Sequence, residues 1–369
     1  MYKAVKFVKK NAVLCIAILA ALVTSYFVRP DMEYLSYFDF KTLTCLFCVL
    51  AVVCALKNIN FFYMIAQNIV VYFKNARMCV LALVYITFIG SMLIANDMAL
   101  LTFLPLGYFV LTSCKREELM AFVFIMQNIA ANLGGMLTPF GNPQNLYLYS
   151  KFNIPTIEFI QIMVIPFVLS ILLITLTCIF FVKKEELVIE KKEIVIPKKK
   201  TIIYLLLFTL SIVIVFRVIP YWIGLIIIPA FLVFMDKKAL KDVDYGLLFT
   251  FVAFFVFSGN MARIDAVEKV FTYFLGKNTM IFSILSCQFI SNVPTAILLS
   301  QFTEDYAHLL IGVNIGGAGT LIASLASLIT LKEYTKNNPG KFWVYFKEFS
   351  VINFSFLIII ISILTFIKI

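Results

Sequence analysis

Charge is scarce in this sequence. Asp, Glu, Lys and Arg make up 14% of 369 residues, and 62% of the chain is hydrophobic. Soluble domains are about a quarter charged and about half apolar, so a soluble globular protein is excluded. Histidine occurs once, as His308. A single His with no placed partner reads as structural, and no His/Cys set has zinc spacing. Cys45 and Cys48 form a CxxC with no second pair and no His nearby, which fits packing better than metal or redox work. A Walker loop and a nucleophile elbow are missing too. The sequence therefore predicts neither an enzyme nor a resident cofactor, and any energy input comes from an ion gradient.

The net charge of +11 does not signal nucleic acid. The Lys and Arg residues fall in short gaps between apolar runs, as the positive-inside rule requires. Runs such as Ile171–Val182 and Ile352–Ile367 carry no charge, so the bilayer is the expected environment. The start reads as a retained first span, Asn11–Val28, with its basic N-terminus in the cytoplasm of a cell carrying the protein in its plasma membrane. Lys41–Leu56 returns inside, and Phe61–Phe73 reads as an interfacial helix.

Met78–Cys114 has basic residues at both ends and Ala95-Asn96-Asp97 in its middle. Each limb of about sixteen residues reaches roughly 24 Å, short of a core of about 30 Å. A re-entrant hairpin at 78–114 satisfies length and charge together. A broken helix follows at 117–149, and a span at 154–182 completes the first repeat, 1–182. The Lys-rich segment 183–200 is a cytoplasmic linker. An extra span at 201–216 turns the second repeat, 201–369, upside down, with its hairpin at 279–302 and its broken helix at 305–331. The expected fold is an all-α polytopic membrane protein of two inverted repeats, each with a re-entrant hairpin and a broken helix.

Function is placed where polar residues interrupt these apolar runs. In Asn128–Ser150 and Gly312–Thr330 the interruptions match: Asn132 falls on Asn314, Thr138 on Thr320, and Asn142 and Asn145 on Ser324 and Ser327. Interrupted segments at corresponding places in two halves point to a transporter's binding site. A break exposes N–H groups at one half-helix start, suited to an anion, and carbonyls at the other half's end, suited to Na⁺. The candidate substrate ligands are Asn96, Asp97, Thr138, Asn142, Pro143 and Asn145 in the first half. In the second they are Ser291, Asn292, Thr295, Asn314, Thr320, Ser324 and Ser327. Pro143 and Pro294 force the interruptions. Each small polar residue has a bland reading as a local hydrogen-bond partner or a tight helix contact; the matched set does not. Asp97, the one acid placed deep in the membrane, reads as a Na⁺ ligand, a proton carrier or a helix cap.

At these residues the chain resembles the ion transporter superfamily, and more closely its citrate transporter-like domain. Divalent anion/sodium symporters, arsenite permeases and some sodium/proton antiporters share that domain. The resemblance rests on AND at 95–97, LTPFGNPQNL at 137–146, SNVPTA at 291–296 and GVNIGGAGTLIASLASLI at 312–329. It implies a homodimer and an elevator-type motion of the hairpins. It also implies a Na⁺ and substrate site at Asn96, Asp97 and Asn292 with the facing loops at Gly141 and Ala323. Dicarboxylate symporters read Ser-Asn-Thr at both tips, whereas Asp97 and Val293 stand at the Thr positions here. ASLAS replaces their Pro-rich turn. Both departures lean toward the arsenite-permease branch. The expectation is a secondary transporter of a small anion, such as a di- or tricarboxylate, coupled to Na⁺ or H⁺. Oxyanion efflux and Na⁺/H⁺ antiport are the alternatives.

Overall fold

The computed structural model describes residues 11–186 and 194–367. The basic start of the chain and the middle of the 183–200 linker lie outside the described residues. Among the described residues there are eighteen α-helices and no strand, and six of these helical segments are long and apolar enough to cross a membrane. The protein is an all-α polytopic membrane protein.

The first half runs through α1 (Ala12–Phe27), α2 (Phe40–Asn58), α3 (Phe61–Val71), α4 (Ala76–Ile94), α5 (Asn96–Ser113), α6 (Met120–Gly134), α7 (Pro143–Lys151) and α8 (Thr156–Phe181). After the linker come α9 (Lys198–Val215), α10 (Tyr221–Met235), α11 (Lys237–Asp242), α12 (Tyr245–Ala262) and α13 (Asp265–Lys277). The second half closes with α14 (Thr279–Ile290), α15 (Asn292–Leu299), α16 (Tyr306–Ile315), α17 (Leu325–Asn337) and α18 (Phe342–Phe366). Short polar residues start several of these helices. Asp39, Asn75, Asp244 and Asn278 each accept a backbone N–H of the first turn, at 2.9, 3.0, 3.0 and 2.8 Å, offsetting donors that a helix start leaves unpaired.

Both hairpins form, each turning on a single residue. The limbs α4 and α5 have 19 and 18 residues, longer than expected, because helical geometry continues to Ile94 on one side and restarts at Asn96 on the other. Their outer ends meet the tail of α8: Arg77 donates to the Val182 carbonyl at 2.8 Å, and Arg116 pairs with Glu185. The mouth of the α14–α15 hairpin lies at the other end of α8. There Phe271 stacks on Phe302, with ring centroids 4.9 Å apart, and Tyr306 donates to Glu158 at 2.6 Å. The hairpins thus enter the bundle from opposite ends and meet in its middle.

Contacts sort most of the helices into two units. α6 is buried along its length, while α8 and α18 leave most of their surface exposed. That exposed surface is apolar, as a lipid-facing surface must be. The hairpins pack on the broken helices: α4 and α5 on α6, α14 on α16, α15 on α7, and α17 on both α5 and α6. α1 packs chiefly on α12, and α2 on α9, α10 and α11. The two units touch where α12 meets α15 and α2 meets α7.

Candidate functional site

The tips are built alike. Ala95 has φ 66° and ψ 151°, and Ser291 has φ 73° and ψ 157°. Non-glycine residues enter that region only under constraint from their surroundings. Here the facing loop supplies it. The Asn96 N–H donates to the Gly141 carbonyl at 3.1 Å, and the Asn292 N–H to the Ala323 carbonyl at 2.9 Å. In each tip the Asn side chain then accepts the next N–H, from Asp97 or Val293, at 2.9 Å. A hydroxyl fastens each loop to the preceding limb: Thr138 donates to the Met92 carbonyl at 2.7 Å and Thr320 to that of Gln288 at 3.0 Å.

The halves also cross-bond reciprocally. Ser324 donates to Asn132 Oδ1 at 2.8 Å, and Asn142, its counterpart, donates to Asn314 Oδ1 at 3.0 Å. Asn314 donates to Asn145 Oδ1 at 2.6 Å, and Asn128 to Ser327 Oγ at 3.3 Å. Asn96 Nδ2 reaches Asn132 Oδ1 at 3.2 Å, so Asn132 joins a tip to the opposite loop. The Ser324–Asn132 and Asn142–Asn314 bonds join matched positions of the two halves; the Asn128–Ser327 bond has no such counterpart, because Asn128 falls on Leu310.

A cavity of 280 Å³ lies between the tips. Asn96, Asp97, Pro143, Ser291, Asn292 and Ser324 line it. The starts of four helices, α5, α7, α15 and α17, therefore end on one space, and each start carries about half a positive charge. Asn142, Asn145, Asn314 and Ser327 are buried behind this lining in the cross-bonded network, and Thr138 and Thr320 hold the loops. Thr295 turns inward to the Ser291 carbonyl at 2.7 Å. These seven expected ligands do not line the cavity. Gly141 and Ala323 bring their carbonyls to the tips, where both accept tip N–H groups.

Asp97 is not a cap. The cap position of α5 belongs to Ala95, which has no capping side chain, and Asp97 Oδ1 is buried with no hydrogen-bond partner. His308 pairs with Asp305 at 2.8 Å at the exposed start of α16 and lines neither cavity at the tips. Cys45 and Cys48 are free, buried packing residues of α2.

The central cavity also takes apolar lining from α1, α12 and α14, including the exposed Ile16 and Phe289, and it adjoins a second cavity. The second, larger one of 610 Å³ shares Asp97, Pro143 and Leu247 with it and runs past Lys57, Lys241 and Asp244. The α7–α15 contact is held by a buried layer. The buried Tyr147 bonds Ser300 at 2.9 Å and packs on Phe255 at 5.7 Å. Beyond this layer a polar cavity of 550 Å³ is lined by Tyr37, Lys41 and Arg263 among others.

Two residues essential to this geometry fell outside the expected ligand set. Asn132 had a signal, since it matches Asn314 across the halves. Gln288 had none: it donates to the Gly316 carbonyl at 2.9 Å and accepts the Thr320 N–H at 2.9 Å, pinning the second break from a limb that reads as ordinary apolar helix.

Comparison with known proteins adds the following. A family model described as citrate transporter matches residues 5–310. An uncharacterized transporter of Methanocaldococcus jannaschii is 35% identical over 304 residues, which is 82% of this chain and 83% of that one. The inner membrane protein YbiR of Escherichia coli is 26% identical over 340 residues, 90% of each chain. A chain of Dictyostelium discoideum that carries the transporter name arsB is 24% identical over 172 residues, 46% of this chain and 30% of that one.

Proposed function

Because the chain belongs to the citrate transporter family and is a transporter rather than an enzyme, we propose that it is a secondary carrier for a small anion. The substrate in this reading is a di- or tricarboxylate such as citrate, coupled to Na⁺ or H⁺. The observation that carries it is the convergence of four helix starts on the cavity between the tips. Their N–H ends favour negative charge, and the neutral amides of Asn96 and Asn292 and the hydroxyls of Ser291 and Ser324 can orient oxygens without adding charge.

The division into two units supports an elevator-type alternating access in this reading. The hairpins and broken helices move together as the carrier, and α1, α2, α9, α10 and α12 form the scaffold and the dimer surface. The two sets of hairpin, broken helix and span are inverted repeats, so the same motion serves both sides. We place the Lys57 and Lys241 end in the cytoplasm and the protein in the plasma membrane. The arrangement then represents the inward-open state, with the Tyr147 layer closing the outside. A second reading, oxyanion efflux, draws on ASLAS at 323–327 and on the likeness to the arsB-named chain over part of the length.

The test is uptake of labelled citrate and succinate into proteoliposomes, with and without an inward Na⁺ gradient, at two pH values. Gradient-dependent uptake is expected. Folded protein that carries neither compound under any condition would move the assignment to oxyanion efflux or antiport.

A further inference from the structure

The two tips share one backbone, which makes their single chemical difference informative. At the position after the tip Asn, the first carries the carboxylate of Asp97 and the second the isopropyl group of Val293. Both residues donate the same N–H, at the same 2.9 Å, to the preceding Asn side chain. Two like positions flank one cavity, and only one can change its charge.

Most oxygens nearest the tips are engaged, although Asn142 Oδ1 behind the first tip is buried without a partner. Gly141 O, Ala323 O, Asn96 Oδ1, Asn292 Oδ1 and Asn132 Oδ1 each accept at least one hydrogen bond. A sodium ion needs several free oxygen lone pairs converging on one point. A proton needs one. Asp97 Oδ1 is buried without a partner, and Asp97 lines both the central cavity and the vestibule that runs to Lys57 and Lys241. An ionised group at that depth is costly, and an intramembrane acid facing a water-filled cavity marks proton relays.

We propose that Asp97 is the one coupling group of this carrier. It takes one proton from water in the vestibule on its carboxylate oxygen and releases it on the other side, while the Val293 tip carries no coupling ion. One proton moves per cycle. This rests on the carrier reading above and narrows its coupling ion. Other charged or titratable groups in the vestibule are Lys57 and Cys54 from α2, Lys241 and Asp242 from α11, and Asp244 and Tyr245 at the start of α12. α3, α4 and α6, which pack on α5, add no charged residue to either cavity, whereas α17 brings Lys332 beside Asp244 and Leu247 and sets Glu333 and Lys336 beside Leu101 and Leu104.

The test has an arm that needs no substrate. Infrared difference spectra of the full chain in lipid, taken between alkaline and mildly acidic pH, should show a buried carboxylic-acid carbonyl band. Asp97→Asn removes it and Asp97→Glu restores it, while Na⁺ at fixed pH leaves it unchanged. In proteoliposomes with the membrane potential clamped, a one-proton carrier raises citrate accumulation about tenfold per unit of pH gradient, since each 1.4 kcal/mol is tenfold. Asp97→Glu keeps that response and Asp97→Asn loses it. The proposal is overturned if the band is absent or responds to Na⁺ in place of pH, or if accumulation rises about a hundredfold per unit, the two-proton value. If the wild type carries no citrate, the carrier reading fails for that substrate, and the infrared arm still decides Asp97.

Discussion

Asn132 shows how one side chain can hold a site together without touching its ligand. Its Oδ1 accepts from Asn96 and from Ser324, so the first tip and the second break share one acceptor. Asn132→Ala leaves both buried donors unpaired, at about 1–3 kcal/mol. The expected result is a lowered thermal midpoint in detergent together with loss of transport. Asn96→Ala and Asn292→Ala, at the cavity wall, are expected to abolish transport while the protein stays folded; wild-type transport in either would remove these residues from the site. Ala95 tests the backbone. With φ at 66°, Ala95→Gly relieves strain and should raise stability by about 1 kcal/mol, whereas a β-branched Val should lower it by at least as much. Thermal unfolding of the two variants checks the sign. At this scale the sequence was readable where residues matched across the halves, as Asn132 matches Asn314, and unreadable at Gln288, whose partners are backbone groups of a distant loop.

At the scale of elements, the hairpins and breaks were legible because each leaves a chemical mark. Basic residues at both ends of an apolar run forced a hairpin, and Pro143, Pro294 and the paired glycines marked the interruptions. Limb length was less legible. Counting apolar residues fixes neither where helical geometry stops nor that one residue with positive φ can replace a loop. Nor did composition separate lining from support, because Asn142 and Asn145 have the same chemistry as Asn96. What decides is the face of the loop on which each lies. Between elements, Arg263 at the end of α12 donates to Asp31 at 2.7 Å and to Tyr37 at 3.0 Å. The Arg263 hydrogen bond holds the Asp31 carboxyl below its ordinary range. A depressed carboxylate stabilises the fold above its unfolded pKa, and the contribution is lost as pH falls through the folded value. Acid titration of stability should show this loss in wild type and not in Arg263→Gln.

For the whole molecule, the group of α1, α2, α9, α10 and α12 also meets the hairpins and broken helices at the corner after α9. Arg217 stacks 4.0 Å over the Tyr149 ring and donates to Asn153 at 2.7 Å, while Phe216 packs on Phe140 at 5.8 Å. If the units slide past each other, this corner must let go. Spin labels at Lys151 and Val218 should report one short distance in wild type and an added longer population in Arg217→Gln. An unchanged distribution would mean that the corner does not hold the state. Narrower than the motion is the binding site proposed above, a small anion between the two tips held by four helix starts. A structure of the protein in lipid nanodiscs with citrate puts it to the test. Ligand density between Asn96 and Asn292, absent when citrate is omitted, is the predicted result. Density confined to the vestibule near Lys57 and Lys241, with the tip cavity unchanged, would contradict it.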